Sequence, residues 1–101
     1  DCLGSSCSPK FSQEVFNTFV SEGFSVTRNN PFSGGFITKN YGVSHQNIEA
    51  IQIEIDRSLY MDEKNLTLSD GYLKLKNKFR DVIHALSNTK ERKSFTFQAA
   101  E

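Results

Sequence analysis

Three isoleucines alternate with polar residues in the stretch AIQIEIDR, residues 50–57. Because successive side chains of a strand point to opposite faces, the isoleucines would share one face. The opposite face would carry an amide and two carboxylates, from Gln52, Glu54 and Asp56. The pattern predicts a strand over about residues 48–56, with one apolar face and one acidic face.

Two amphipathic helices are predicted, one before this strand in the chain and one after it. Ser8 and Pro9 are typical of a helix start and Gly23 of a helix end, so the first helix should run from about residue 9 to 22. A second helix is predicted at about residues 70–87, from apolar residues at helical spacing. These are Leu75, Phe79, Val82, Ile83 and Leu86.

The segment between the first helix and the isoleucine strand is predicted to hold a further strand and a long loop. Residues 24–28 alternate and favour a strand, and the loop NNPFSGGFITKNYG follows. The order helix, strand, loop, strand, helix predicts an α/β fold, a layered sheet flanked by helices. We expect residues 1–88 to form one domain or part of one, and residues 89–101 to form a polar C-terminal tail with a possible short strand at 94–98.

Composition argues against several classes of partner. Twelve basic and 12 acidic side chains balance, whereas a nucleic-acid partner would need a basic surplus on one face. No apolar run approaches the roughly 18 residues that cross a bilayer, and no leader peptide is evident, so we expect a soluble protein without membrane contact. Two cysteines are too few for a disulfide framework, which favours a cytoplasmic location. The absence of an initial methionine suggests the later part of a longer protein.

Glu54 and Arg57 are the candidate functional residues of the isoleucine strand. A carboxylate held in a cleft at a strand end suits general acid/base chemistry, because its position is fixed and its proton affinity can be tuned. The alternative, which the pattern alone favours, is a sheet with one wet face on which Glu54 is merely hydrated. If the strand continued, the side chain of Arg57 would point to the apolar face with the isoleucines. An unpaired guanidinium is rarely buried there, so the strand should end near Asp56 and the chain should turn. The planar guanidinium of Arg57 suits either a substrate carboxylate or an internal salt bridge.

The glycine-rich loop and the isolated histidines carry weaker signals. The loop lacks phosphate-binding spacing, and Gly34-Gly35 would allow either a sharp turn or a close backbone approach. Polar candidates around it are Arg28, Asn29, Thr38 and Tyr41. His45 and His84 stand apart from other ligand residues, and Asp62-Glu63 suits a hydrated turn better than a metal pair, so no complete metal site is expected in this chain.

Three stretches together resemble the later half of the N-formylglutamate amidohydrolase family. They are GSSCSP, RNNPFSGGFITKNYG and AIQIEIDRSLYMDE, in this order and at similar spacing. The resemblance runs from Cys2 to about Leu86. It implies part of a phosphorylase/hydrolase-like, zinc carboxypeptidase-like domain, and an enzyme that hydrolyses the amide of an N-acyl amino acid. For this family the substrate is N-formyl-L-glutamate, an intermediate of histidine degradation, and the products are formate and L-glutamate.

The resemblance also implies roles for individual residues. Glu54 matches the strand-borne glutamate that, in related zinc acylases and carboxypeptidases, activates a metal-bound water. Substrate contacts are implied for five further positions that match family motifs: Arg57, Arg28, Asn29, Gly35 and Thr38. The family's zinc ligands precede the segment that corresponds to Cys2, so zinc is expected in the full-length domain and no metal ligand in this chain.

Three hypotheses follow for function. The first is the C-terminal part of an N-formylglutamate amidohydrolase-like enzyme, inactive as an isolated fragment because it holds no zinc. The second is a truncated, non-catalytic relative that acts as a binding or interaction module. The third is a related hydrolase with another acyl amino acid as its small-molecule substrate. An isolated half-domain would expose sheet edges and apolar surface, which would allow a homodimer or strand exchange.

Overall fold

The computed structural model describes residues 1–42 and 46–88, which form helices and one small antiparallel sheet. The chain divides into two compact units, Asp1–Asp56 and a second from Arg57 onward. The tail predicted at 89–101, its strand and His45 lie outside the described residues. The helices are α1 (Pro9–Ser21), α2 (Phe36–Tyr41) and α3 (Gly71–Ser87), the strands are β1 (Met61–Asp62) and β2 (Thr67–Leu68), and short 3-10 helices lie at Cys2–Gly4 and Arg57–Leu59.

Helix α1 begins and ends at the residues that the sequence indicates. The Ser8 hydroxyl accepts the Phe11 N–H at 3.2 Å and so satisfies a free amide of the first turn. Gly23 follows the helix with φ of 89°. The N–H of Phe24 then donates to the carbonyl of Phe19 at 3.2 Å, and their rings meet edge to face at 5.5 Å. This backbone bond and apolar contact are those of a Schellman motif, and the predicted helix is confirmed.

The predicted apolar stripes form the buried faces of the two long helices. On α1 the most buried side chains are Val15 and Phe19, and on α3 they are Val82 and Leu86. The other predicted stripe residues of α3 are half-buried. The helical period therefore identified correctly which face of α3 turns away from solvent. The stripe expected on α1 was Phe11, Val15, Phe16, Phe19 and Val20, and of these Val20 is wrong, because it is 47% exposed.

The two predicted strands are wrong. Residues 24–28 and 48–56 have no regular secondary structure, and in the described chain only β1 and β2 pair, with Met61 opposite Leu68 and Asp62 opposite Thr67. An alternating segment becomes a strand only when a neighbour completes its hydrogen-bond ladder, and the described residues supply none for these two segments. The coarse α/β class is confirmed. The wider layered sheet stays a prediction.

Ser6 holds the segment around Ala50 in the first unit. The Ala50 N–H donates to the Ser6 carbonyl at 3.0 Å, and the Ser6 hydroxyl donates to the Ala50 carbonyl at 2.7 Å. Beside this pair, the Ser8 N–H donates to the Glu49 carboxylate at 2.7 Å. The end of α2 also approaches Ser6, since a Cβ on Gly42 would lie 2.6 Å from the Ser6 carbonyl oxygen. Ser6 is accordingly only 1% exposed.

Asp62 organises the turn between β1 and β2 in the second unit. Its carboxylate accepts the Asn65 side-chain amide at 2.8 Å and the backbone N–H groups of Lys64 and Asn65 at 3.1 and 3.3 Å. These hydrogen bonds, led by that of the Asn65 side chain, hold the pKa of Asp62 below its ordinary value of 3.8. The residue is exposed, so the predicted hydrated turn is confirmed.

Across residues 1–42 and 46–88, no helix combines the length and the apolar character needed to span a bilayer.

We predict that Ser6→Ala lowers the free energy of unfolding of the natural gene product by about 1–3 kcal/mol, the usual cost of leaving a buried hydrogen-bonding group unsatisfied. Denaturant unfolding measures the change. Ser25→Ala, which removes the hydroxyl of an exposed serine in the same unit, should stay within about 0.5 kcal/mol of the wild type. Equal effects of the two variants would contradict the role of Ser6.

We predict that the ionised form of Asp62 stabilises the fold above pH 3.8, its ordinary pKa, and that this contribution disappears as pH falls through the lowered pKa of the folded state. Asn65→Ala removes the strongest donor and should raise the pKa of Asp62 towards 3.8, as measured by NMR titration of the carboxyl carbon. Asn77→Ala, an amide deletion on α3, serves as the control. An unchanged pKa of Asp62 in Asn65→Ala would refute the assignment.

Candidate functional site

A side-chain amide holds the carboxylate of Glu54. The Gln52 Nε2 donates a hydrogen bond to the Glu54 Oε1, two positions further along the chain. A carboxylate only accepts hydrogen bonds, so the amide nitrogen must face Glu54 and the amide oxygen must face elsewhere. Gln52 is half-buried and Glu54 is exposed. The result is a carboxylate that is held on one side and open to solvent.

The glycine loop meets this pair at Gln52. A Cβ added to Gly35 would lie 3.3 Å from the Gln52 Oε1, closer than ordinary van der Waals contact. The amide oxygen of Gln52 therefore packs against the bare backbone of Gly35. Of the two expectations for the Gly34-Gly35 pair, close backbone approach is confirmed at Gly35.

Thr38 shapes the backbone of Gly35 from within α2. Its hydroxyl accepts the Gly35 N–H at 3.0 Å and donates to the Gly35 carbonyl at 3.1 Å, and the side chain is only 2% exposed. Gly35 is the N-cap of α2 and Thr38 stands in its first turn, where a side chain can reach back to a free amide. We refer to Gly35, Thr38, Gln52 and Glu54 as the Glu54 cluster.

The other predicted substrate contacts of the first unit have different surroundings. The Arg28 guanidinium donates to the Gln13 Oε1 at 2.7 Å and lies 4.4 Å from the centre of the Phe16 ring, a cation–π distance, so it contacts α1. The Asn29 Oδ1 lies 3.4 Å from the backbone nitrogen of Asp1, and Asn29 has φ of 54°. Roles for Arg28 and Asn29 in substrate binding stay predictions.

Arg57 belongs to the second unit. It is exposed and begins the 3-10 helix Arg57–Leu59, whose turn is closed by the Tyr60 N–H donating to the Arg57 carbonyl at 3.2 Å. The expectation that the chain turns after Asp56 is confirmed. Whether Arg57 anchors a carboxylate stays a prediction.

The described part of the chain contains no ligand set for zinc. Among residues 1–42 and 46–88, no three side chains of His, Cys, Asp or Glu come together as a metal site would require. The described residues do not by themselves fit the zinc ion that the family resemblance implies.

An open groove of about 610 Å³ follows the polar side of α1. It is lined by Lys10, Gln13, Glu14, Asn17, Thr18 and Ser21. None of these residues belongs to the Glu54 cluster. We do not place a substrate in this groove.

Reasoning from the sequence missed Gln52 as a member of the site. A signal was present, since Gln52 and Glu54 share a face of the strand that the sequence pattern predicts. An uncharged amide, however, does not by itself indicate function. The second contact of Gln52, with Gly35, joins residues that are 17 positions apart in the chain (52 − 35), so no local pattern indicates it.

Known proteins match the segment that contains these residues. The family model described as N-formylglutamate amidohydrolase matches residues 1–61. The N-formylglutamate deformylase of Pseudomonas aeruginosa is 37% identical over 62 residues, which are 60% of this chain and 23% of that protein. That of Pseudomonas putida is 36% identical over 61 residues, 59% of this chain and 23% of that protein. The crystal structure of N-formylglutamate amidohydrolase from Ralstonia eutropha JMP134 matches with a TM-score of 0.81 at 25% identity, over 90% of this chain and 33% of that one.

The family model covers the whole Glu54 cluster and also Arg28, Asn29 and Arg57. The chain spans about a quarter of the length of the curated relatives that it matches. More than half of its residues fall within the family model, and the chain belongs to the N-formylglutamate amidohydrolase family.

Proposed function

We propose that this chain is the part of an N-formylglutamate amidohydrolase that carries the general base and some of the substrate pocket. The reaction is hydrolysis of the amide of an N-acyl amino acid, with N-formyl-L-glutamate as the expected substrate. The observation that carries the proposal is the contact between Gln52 and Glu54, next to the glycine loop and inside the family-matched segment. It leaves a carboxylate that is held in place yet accessible, as a general base must be.

Glu54 acts on the attacking water. The Gln52 amide donates to the Glu54 Oε1, and in the proposal the Oε2 accepts the water proton. As the water oxygen bonds to the carbonyl carbon of the amide, Glu54 accepts the water proton. It then passes this proton to the leaving nitrogen as the C–N bond breaks, which yields the free amino acid and a carboxylic acid, here formic acid, which ionises to formate. Each step needs Glu54 within hydrogen-bond reach of both the water and the nitrogen.

The remaining residues contact the substrate in this proposal. The guanidinium of Arg57 pairs with a substrate carboxylate through its planar fork of donors. The backbone of Gly35, shaped by Thr38, contacts the substrate beside Glu54, and Arg28 and Asn29 are further substrate contacts that rest on the family resemblance alone. The described residues contain no ligand set for the zinc ion that the resemblance implies. The roles proposed above for the residues of this chain assign no zinc ligand.

We predict that Glu54→Gln lowers kcat of the natural gene product by on the order of a hundredfold or more, the usual scale for a lost general base. Hydrolysis of N-formyl-L-glutamate, followed by release of formate, measures the effect, and circular dichroism checks the fold. Glu63→Gln removes another exposed carboxylate and should remain active.

An active Glu54→Gln enzyme would refute the assignment of the base. A natural gene product that hydrolyses no member of a panel of N-acyl amino acids would instead favour the non-catalytic relative. Activity on other acyl groups but not on N-formyl-L-glutamate would favour the related hydrolase.

For Arg57→Ala we expect the KM for acidic N-acyl amino acids to rise about tenfold or more, because a hydrogen bond to a charged group is worth roughly 1.5–3 kcal/mol. The KM for neutral substrates should change little. Arg57→Lys keeps the charge but loses the fork and should recover only part of the affinity. Arg80→Ala, on the exposed side of α3, is the matched control. An equal rise for acidic and neutral substrates would mean that Arg57 is not a carboxylate anchor.

A further inference from the structure

We infer that Gln52 is a positioning residue for Glu54, fixing the orientation of the carboxylate through its side-chain amide. The inference rests on the proposed function, because it assigns Gln52 a part in the work of the general base. It adds to that proposal a residue that does not itself touch the substrate.

The first argument is the freedom of the Glu54 side chain. A glutamate side chain has several rotatable bonds and loses much rotamer entropy when it is held in one position. Glu54 is exposed, so packing alone does not restrain it. The hydrogen bond from the Gln52 Nε2 to the Glu54 Oε1 is a restraint on the carboxylate that the structure does show. Small displacements of a reacting group are costly, about a hundredfold in rate for 1 Å.

The second argument is that Gln52 is itself held from the other side. Its Oε1 packs against the backbone of Gly35, at 3.3 Å from where a Cβ would stand. The Thr38 hydroxyl makes two hydrogen bonds to the Gly35 backbone and is buried. The Gln52 amide therefore bridges the backbone of Gly35 and the exposed carboxylate of Glu54. A shorter side chain, or an apolar one, would lose the contact with Gly35, the hydrogen bond to Glu54, or both.

The test uses Gln52→Met and Gln52→Glu in the natural gene product, with N-formyl-L-glutamate as substrate. Gln52→Met keeps the length but not the donor, and Gln52→Glu replaces the donor with a repelling carboxylate. We expect kcat to fall roughly ten- to a hundredfold for Gln52→Met, and further for Gln52→Glu, with KM nearly unchanged. Gln46→Met, at another glutamine of the same unit, should leave kcat unchanged.

A double-mutant cycle separates positioning from a merely structural role. If Gln52 acts through Glu54, adding Gln52→Met to Glu54→Gln should change kcat by no more than about twofold, since the base is already gone. A loss of the same size in both backgrounds would overturn the inference and leave Glu54 as the base. A wild-type kcat for Gln52→Met would do the same. Full activity of Glu54→Gln would overturn the proposed base and, with it, the role of Gln52.

A readout independent of activity tests the contact itself. The side-chain amide proton resonances of Gln52 should shift when Glu54→Gln removes the charged acceptor, and should not shift in Glu63→Gln. Unshifted Gln52 resonances in Glu54→Gln would overturn the inference even if the enzyme had lost its activity.

Discussion

The hydrogen bonds between Ser6 and Ala50 are the constraint on which the candidate site depends. The segment that carries Glu54 has no strand partner among the described residues, so no ladder determines its path. Two hydrogen bonds between residues that are 44 positions apart hold it in place instead. Because Ser6 is buried and the end of α2 also approaches it, the same residue places the glycine loop and the Glu54 segment side by side.

The contact between the glycine loop and the Glu54 segment is polar, which explains why it is made by a glycine and an amide side chain. Gly35 has no side chain, which allows the Gln52 amide to approach the loop backbone. An amide has a donor and an acceptor at one end, so Gln52 can place its oxygen on the loop and its nitrogen on the carboxylate. Thr38 secures the loop from behind. The carboxylate is thus oriented without being buried, which spares the large cost of desolvating a charge.

Prediction succeeded where structure is local and failed where it depends on distant residues. Helix α1 was predicted from its start signal at Ser8 and its stop signal at Gly23, and helix α3 from its apolar spacing, and these signals lie within or beside the segment itself. The strands at 24–28 and 48–56 were wrong because alternation describes faces but cannot supply a pairing neighbour. Helix α2 was missed because six residues within a glycine-rich loop are too few to show a helical period.

The residue order alone decides the two long helices, the turn at Arg57 and the family to which the chain belongs. These are properties of neighbouring residues or of an ordered set of short motifs. Only the tertiary structure decides that Gln52 stands between Gly35 and Glu54 and that Ser6 is a buried junction rather than one more serine in a polar segment. The physical reason is that hydrogen bonds between distant segments depend on how the chain returns on itself, which no local pattern specifies.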